Sequence, residues 1–376
     1  MRKVTLIDTT LRDGAQAPNI FFTHFERLRI VDKLVEIGIT EIEAGIPVMG
    51  DNECNTIKTI VKEFPSCRIS SWCRANSNDI TMAGKTGCDT VHISFPVSDV
   101  HLKAIHRDEL WLFSTFQRIV SEAMGSFNRV TVGLQDASRA PLPRIISLIQ
   151  CGLFIGVQRF RIADTIGILT PLDTSELISN IVKKNPSVNL DFHAHNDFGM
   201  ATANAVTALM SGANAVSVTV NGIGERAGNA ALEEVVMSIS RNVPYLLHGL
   251  NTSGIVALCR LVEFLAQCQT ASNKPITGSS IFTHESGIHC HALANDKTTY
   301  EPFDPSQVGH EPSTFVAGSH SGTSGIRTML GEIGKDLTRE ELKSLFVLIQ
   351  KSAHEKKRSL VSSEVKQLFL NEKNAR

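Results

Sequence analysis

Between residues 4 and 240 the apolar positions switch repeatedly between two spacings. Short apolar runs of strand character occupy 4–7, 39–44, 68–72, 90–95, 129–135, 159–163, 188–192 and 215–220. Between them, apolar residues recur at the three-to-four spacing of a helix face. The first helix opens at the capping box Thr23-x-x-Glu26, carries Leu28, Val31, Leu34 and Val35, and stops at Gly38. Further helices are predicted over 52–64, 78–86, 110–124, 142–150, 172–183, 201–210 and 230–240, with Thr170-Pro171 setting proline at a first helical position. Each crossover has room for the helix that parallel strand pairing needs. The pattern predicts an α/β protein with a closed (β/α)8 barrel, an open doubly wound sheet being the alternative. That alternative usually has a glycine-rich turn after its first strand, whereas residues 8–14 contain one glycine.

From about residue 251 the alternation stops. A helix with an apolar face covers 255–268, and the Gly-, Ser- and His-rich stretch 274–291 reads as an ordered lid. A second capping box, Thr338-x-x-Glu341, opens a helix reaching Lys351, and a last short helix covers 363–370. The expected organisation is a catalytic barrel over 1–250 and a helical lid and dimerisation subdomain over 251–376. The subdomain looks too small to bury much by itself, so it is expected to pack on the barrel or on a partner subunit.

Composition narrows the function classes. The 376 residues carry a formal net charge of −1 with no long charged block, which argues against a nucleic-acid or membrane-surface partner. No run approaches the ~20 apolar residues of a membrane span. Residues 1–8 enter a strand directly, without the apolar stretch of a secretion signal. Eight cysteines without a CxxC spacing read as thiols of a reducing compartment, so a cytoplasmic protein is expected.

Polar residues gather at strand C-terminal ends, where barrels of this kind carry their working groups. They include Asp8, Arg12, Asp13, Glu43, Gln135, Asp136, Thr165, His193, His195 and Asn221. His193 and His195 are two apart after the strand 188–192 and so share a face. With Asp13 they supply two imidazoles and a carboxylate, a set suited to Mn²⁺, Zn²⁺, Fe²⁺, Co²⁺ or, less well, Mg²⁺. Such an ion has positions open for a chelating 2-oxo acid, and Arg12 offers a cation beside it. The bland alternatives are hydrogen-bonded core histidines and a loop-closing Arg12–Asp13 salt bridge. Residues 221–229, Asn-Gly-Ile-Gly-Glu-Arg-Ala-Gly-Asn, open a helix and give a weak anion-loop signal. His289, in His284-Glu285-Ser286-Gly287-Ile288-His289, is a candidate acid or base or simply a loop histidine. Trp72 reads as core or pocket wall.

These stretches carry a family resemblance. Asp8-Thr9-Thr10-Leu11-Arg12-Asp13-Gly14, His193-Ala194-His195-Asn196-Asp197 and the 221–229 segment resemble the signatures of the DRE-TIM metallolyase superfamily, in its 2-isopropylmalate and homocitrate synthase branch. Ile46-Pro47-Val48-Met49-Gly50, Ser71-Trp72-Cys73-Arg74, Asp136-Ala137-Ser138-Arg139-Ala140 and residues 282–289 resemble the nitrogen-fixation type of homocitrate synthase. The resemblance implies a TIM barrel, a C-terminal lid and a homodimer that condenses acetyl-CoA with 2-oxoglutarate to homocitrate and CoA. Isopropylmalate- or citramalate-type synthesis is the related alternative. It implies metal ligation by Asp13, His193, His195 and Asn229, and oxyanion stabilisation by Arg12. It places Gln16, Glu43 and Thr165 in the acceptor pocket, and makes His289 the catalytic histidine, donated by the partner subunit. No leucine-feedback domain is expected.

Three positions depart from the family pattern: Ala15 and Gln135 replace glutamates, and Ser319 replaces a lysine. Gln135 falls in the catalytic set but cannot take a proton at neutral pH. A catalytically impaired metal-binding homologue is therefore a further alternative.

Overall fold

In the computed structural model of the protein, residues 4–244 and 249–375 are described; residues 1–3, the run-in to the first expected strand, lie outside them. Eight strands form a closed barrel in sequence order: β1 (Thr5–Asp8), β2 (Glu41–Glu43), β3 (Arg68–Arg74), β4 (Thr90–Pro96), β5 (Arg129–Gln135), β6 (Arg159–Asp164), β7 (Leu190–Ala194) and β8 (Ala215–Val218). Every neighbouring pair is parallel, and β8 closes on β1 with Val218 opposite Asp8. The open-sheet alternative is excluded.

The helices form where their caps and apolar faces put them. In α1 (His24–Glu36) both halves of the Thr23/Glu26 box are made, and Ile30, Val31 and Leu34 are fully buried. The helices that follow are α2 (Asp51–Glu63) and α3 (Ser77–Gly84). The next crossover holds two helices rather than the one expected, α4 (Asp99–Ala104) and α5 (Glu109–Met124). Ser98 starts the extra one by accepting the His101 N–H. Next, α6 (Leu142–Ile155) runs beyond its expected stop near Gly152. That glycine sits inside the helix because the Phe160 ring packs against it; a Cβ there would lie 2.6 Å from Phe160 Cζ. Three more helices, α7 (Pro171–Lys184), α8 (Ala201–Met210) and α9 (Leu232–Asn242), complete the ring. Pro171 stands at the first position of α7.

The chain divides into two units after Thr270, rather than after residue 250 as the patterning suggested. The intervening helix α10 (Ile255–Ala266) belongs to the first unit: it packs on α1, and its Cys259 carbonyl accepts from Asn221 Nδ2 at 2.8 Å. The second unit, taken by itself, contains α11 (Gly287–Asn295), α12 (Thr323–Leu330), α13 (Glu332–Lys335), α14 (Arg339–Lys356) and α15 (Ser362–Ala375). It also has a short parallel pair, β9 (Thr283–His284) with β10 (Thr314–Phe315). The Thr338/Glu341 box caps α14 as expected. Contrary to the expectation from its size, this unit has a core of its own, in which Ile326, Leu330, Leu342, Leu345, Leu360 and Val365 are at most 1 % exposed. No helix among the described residues is long and apolar enough to cross a membrane.

Candidate metal and acceptor site

The barrel axis is polar from the N-terminal ends of its strands upward. Along β2 and β6 the charged residues are spaced two apart, so they share the inner face. Across the barrel, Glu41 meets Arg159 at 2.6 Å and Glu43 meets Arg161 at 2.9 Å, while Arg161 Nε donates to Asp191 at 2.5 Å. Above this network, β1 ends in a tight turn in which the N–H groups of Arg12, Asp13 and Gly14 all donate to the Thr9 carbonyl, at 3.0, 2.9 and 3.1 Å. The turn delivers Arg12 and Asp13 to the barrel mouth.

There Asp13 meets β7. The ligand atoms of Asp13, His193 and His195 all lie within 4.8 Å of one another, and all three residues are buried. His193 Nε2 is 2.9 Å and His195 Nε2 4.0 Å from Asp13 Oδ2. The two rings stand 4.9 Å apart and nearly perpendicular. Despite this proximity, Asp13 Oδ2 has no hydrogen bond of acceptable geometry, and neither do His193 Nδ1, His195 Nδ1 or Asn229 Oδ1. Buried polar atoms rarely go unmatched without a reason.

Electrostatics keeps Asp13 and His195 in the protonation states a cation needs. Burial pushes the Asp13 carboxyl up, but the Arg12 cation and the neighbouring imidazoles more than reverse this and hold it well below the usual carboxylate range. Burial, reinforced by His193, pulls His195 down to about 4. A carboxylate beside a neutral imidazole is a donor set for a divalent ion. Asn229 is adjacent in the backbone, since it forms an antiparallel bridge with His195, and its Nδ2 donates to the Ile223 carbonyl, which leaves Oδ1 as the free acceptor. The residues therefore fit a bound divalent metal.

Arg12 is fixed on three sides. Its Nε donates to Glu43 at 2.5 Å, its Nη1 lies 3.1 Å from Asp13, and its guanidinium lies 5.8 Å from the Trp72 ring centroid. Trp72 thus lies within cation–π range of Arg12. Glu43 is fully buried and bound to both Arg12 and Arg161, so it reaches the site through Arg12. Gln16 is exposed on the rim and helps to line a groove of about 350 Å³ with Arg12, Ala15, Phe21 and Met49. At the ends of β5 and β6, Thr165 Oγ1 accepts the Asp136 N–H at 2.8 Å. Gln135 is half-buried at the same end of β5, next to Asp136 in a left-handed conformation (φ 62°).

His289 lies in the second unit, on α11, with its ring stacked on Tyr300 at 3.8 Å and edge-on to His284 at 6.4 Å. Also there, Ser319 accepts from Gln350 through its carbonyl. Reading the sequence missed Arg161, Asp191 and Tyr300. For Arg161 a signal existed, since Arg159-x-Arg161 repeats the strand spacing of Glu41-x-Glu43; for Tyr300 there was none.

Comparison with known proteins agrees with this architecture. Residues 3–262 match the HMGL-like family model, and residues 276–357 match the model described as homocitrate synthase post-HMGL domain-like. A homocitrate synthase of Frankia alni is 41 % identical over 88 % of this chain and 94 % of its own length. The 2-isopropylmalate synthase 2 of Caldanaerobacter subterraneus is 38 % identical over 98 % of this chain and 95 % of its own. Among solved structures, the hydroxymethylglutaryl-CoA lyase of Pseudomonas aeruginosa shares the fold with a TM-score of 0.64 at 19 % identity, over 73 % of this chain and 96 % of that one. The chain belongs to the HMGL-like family of the DRE-TIM metallolyase superfamily, in the branch that carries a homocitrate-synthase-type domain after the barrel.

Proposed function

We propose that the protein is a metal-dependent homocitrate synthase that joins acetyl-CoA to 2-oxoglutarate. The observation that carries this reading is the buried cluster of Asp13, His193 and His195, with unmatched polar atoms, beside the braced Arg12. Asp13, His193, His195 and Asn229 would hold the ion, which supplies Lewis-acid polarisation of a chelating 2-oxo acid.

The chain's own groups do the rest. Arg12, held by Glu43 and Trp72, presents a fixed guanidinium to the ketone oxygen as it becomes an alkoxide. Thr165 already accepts from Asp136, so its hydroxyl proton is left to donate to the acceptor's carboxylate. His289, from the partner subunit of a homodimer, takes a proton from the acetyl methyl group. The methyl carbon then bonds to the ketone carbon, the alkoxide gains a proton, and water cleaves the thioester C–S bond to release CoA and homocitrate. Gln135 stands where the family has a glutamate and supplies a hydrogen-bond partner rather than a proton acceptor. The motif resemblance supports a role for the product in nitrogen fixation, as the organic ligand of the nitrogenase cofactor.

A second acceptor is the competing reading. It is favoured by the 38 % identity to a 2-isopropylmalate synthase and the 39 % identity to a protein named putative (R)-citramalate synthase, from Methanopyrus kandleri. Thiol release from acetyl-CoA, measured with Mn²⁺ and a panel of 2-oxoglutarate, pyruvate and 2-oxoisovalerate, decides between them. Release that is strongest with 2-oxoglutarate and is abolished by chelation is the expected result. A flat response to 2-oxoglutarate beside a strong one to another acid would replace the acceptor. Metal binding without release from any acid would point to an impaired homologue, and Gln135→Glu would then restore turnover.

A further inference from the structure

We propose that Arg226 is a positioning residue, a bracket that holds the β6, β7 and β8 loops in register so that the metal-ligand pair and Thr165 keep their relative places. The proposal rests on the metal site described above. Arg226 lies in the glycine-rich loop after β8, three residues before Asn229, and adopts a left-handed backbone (φ 55°) that disfavours any side chain. Its guanidinium forks onto Asp197, two residues past His195, with Nε–Oδ1 2.8 Å and Nη2–Oδ2 3.0 Å. The same Nη2 donates to the Thr165 carbonyl at 2.7 Å. One side chain thus reaches from the loop carrying Asn229 to the loop after the histidines and to the loop carrying Thr165.

The backbone around it is fitted to that contact. Asn196 N–H donates to the Gly228 carbonyl at 2.9 Å, which ties the β7 and β8 loops together directly. Gly167 (φ 62°) lets the β6 loop press on the same place; a Cβ there would lie 2.8 Å from both Asp197 Oδ2 and the His195 carbonyl oxygen. Three loops therefore converge on Asp197. Stability does not account for this arrangement. The Arg226 side chain is 41 % exposed, and exposed ion pairs add little to folding, so a strained residue spent on one makes sense as a means of fixing geometry. Bidentate pairing supplies direction as well as attraction, which a lysine cannot reproduce.

The test uses the full chain, stripped of metal, with Mn²⁺ as the probe. Mn²⁺ affinity by calorimetry, KM and kcat for the preferred 2-oxo acid, and the thermal midpoint are compared for Arg226→Gln, Arg226→Lys, Asp197→Asn and the Gln/Asn double variant. Each single variant is expected to weaken Mn²⁺ binding by about 10-fold, at the lower end for outer-sphere partners of a metal site. KM should rise by a similar factor, with kcat and the thermal midpoint little changed. The double variant should be no worse than either single one, and Arg226→Lys should recover only a small part of the loss. Unaltered Mn²⁺ affinity and KM in Arg226→Gln would overturn the bracket. So would additive losses, or losses that track a falling midpoint, since these indicate a merely structural role. If the unmodified protein binds Mn²⁺ but releases no CoA, only the condensation reading fails, and calorimetry still decides the bracket. If it binds no Mn²⁺, the metal reading fails and takes the bracket with it.

Discussion

Two sets of buried charge share one barrel, and they differ in how completely they are matched. In the axial network every carboxylate oxygen of Glu41, Glu43 and Asp191 receives at least one hydrogen bond from a guanidinium or from the Ser217 hydroxyl. At the mouth, Asp13 Oδ2, both histidine Nδ1 atoms and Asn229 Oδ1 are buried without a hydrogen-bond partner. Both sets are equally hidden from water, so burial of polar groups does not by itself mark a functional site. Unmatched acceptors set the mouth apart: in the network every carboxylate oxygen is matched and the atom left over, Arg159 Nε, is a donor, whereas the mouth leaves a carboxylate oxygen, an amide oxygen and two imidazole nitrogens that a cation could use.

The largest expected effect comes from breaking the complete set. Glu43→Ala strands Arg12 and Arg161, and removing one partner of a buried ion pair costs about 3–5 kcal/mol. Denaturant unfolding of the metal-free protein reads this loss, and CoA release should fall with it because Arg12 loses its brace. The same network predicts acid behaviour. Burial alone would raise the Glu43 carboxyl, but Arg12 and Arg161 outweigh that and bring it down to about 2. A depressed carboxyl contributes stability above its unfolded value near 4.5 and loses it as the pH falls toward 2. Across that window the wild type should lose more stability than Glu43→Gln; parallel acid titrations would disprove the pairing.

Changing the incomplete set should have the opposite signature. His195→Asn should weaken Mn²⁺ binding by ~100-fold or more, since outer partners alone are worth ~10–100-fold. CoA release should fall to background. The metal-free protein should unfold at nearly the wild-type denaturant midpoint, because the replaced ring nitrogen had no partner to lose. A large stability loss in His195→Asn would place this ring among the structural groups.

This contrast also explains what the sequence revealed. The Thr23 and Thr338 caps and the His193-x-His195 spacing are local and are found as expected, and the strand and helix periods give the eight-stranded order though not the extra helix α4 or the end of α6. The axial network is not local. Glu41-x-Glu43 and Arg159-x-Arg161 show the two-residue spacing of a strand face, yet spacing does not say that the face points inward or names a partner 118 positions away. The same limit hid Trp72 beneath Arg12 and Tyr300 against His289. The expected division after residue 250 falls short of the observed one after Thr270 because α10 is apolar like a subdomain helix, and its packing on α1 and its hydrogen bond to Asn221 assign it to the barrel.

Asp8 lies between the two sets and gives the smallest but sharpest test. It is fully buried, with no cation, and its oxygens receive only the Thr10 N–H and hydroxyl, at 3.0 and 2.8 Å. Burial raises its carboxyl to about 7, with the two Thr10 hydrogen bonds offsetting only part of the rise. The native state thus keeps a proton that the unfolded chain, titrating near 3.8, has already lost. The resulting stability is complete below the unfolded value and drains away as the pH rises through 7. Between pH 6 and 7 the slope for one such group amounts to about 1 kcal/mol. Asp8→Asn removes the titration while keeping an acceptor for the Thr10 N–H. The difference in unfolding free energy between wild type and variant should therefore shift by about 1 kcal/mol over that single pH unit, against the wild type. A constant difference would mean that Asp8 is already charged in the fold, so that two hydrogen bonds can finish a buried carboxylate as completely as the guanidinium groups finish Glu43.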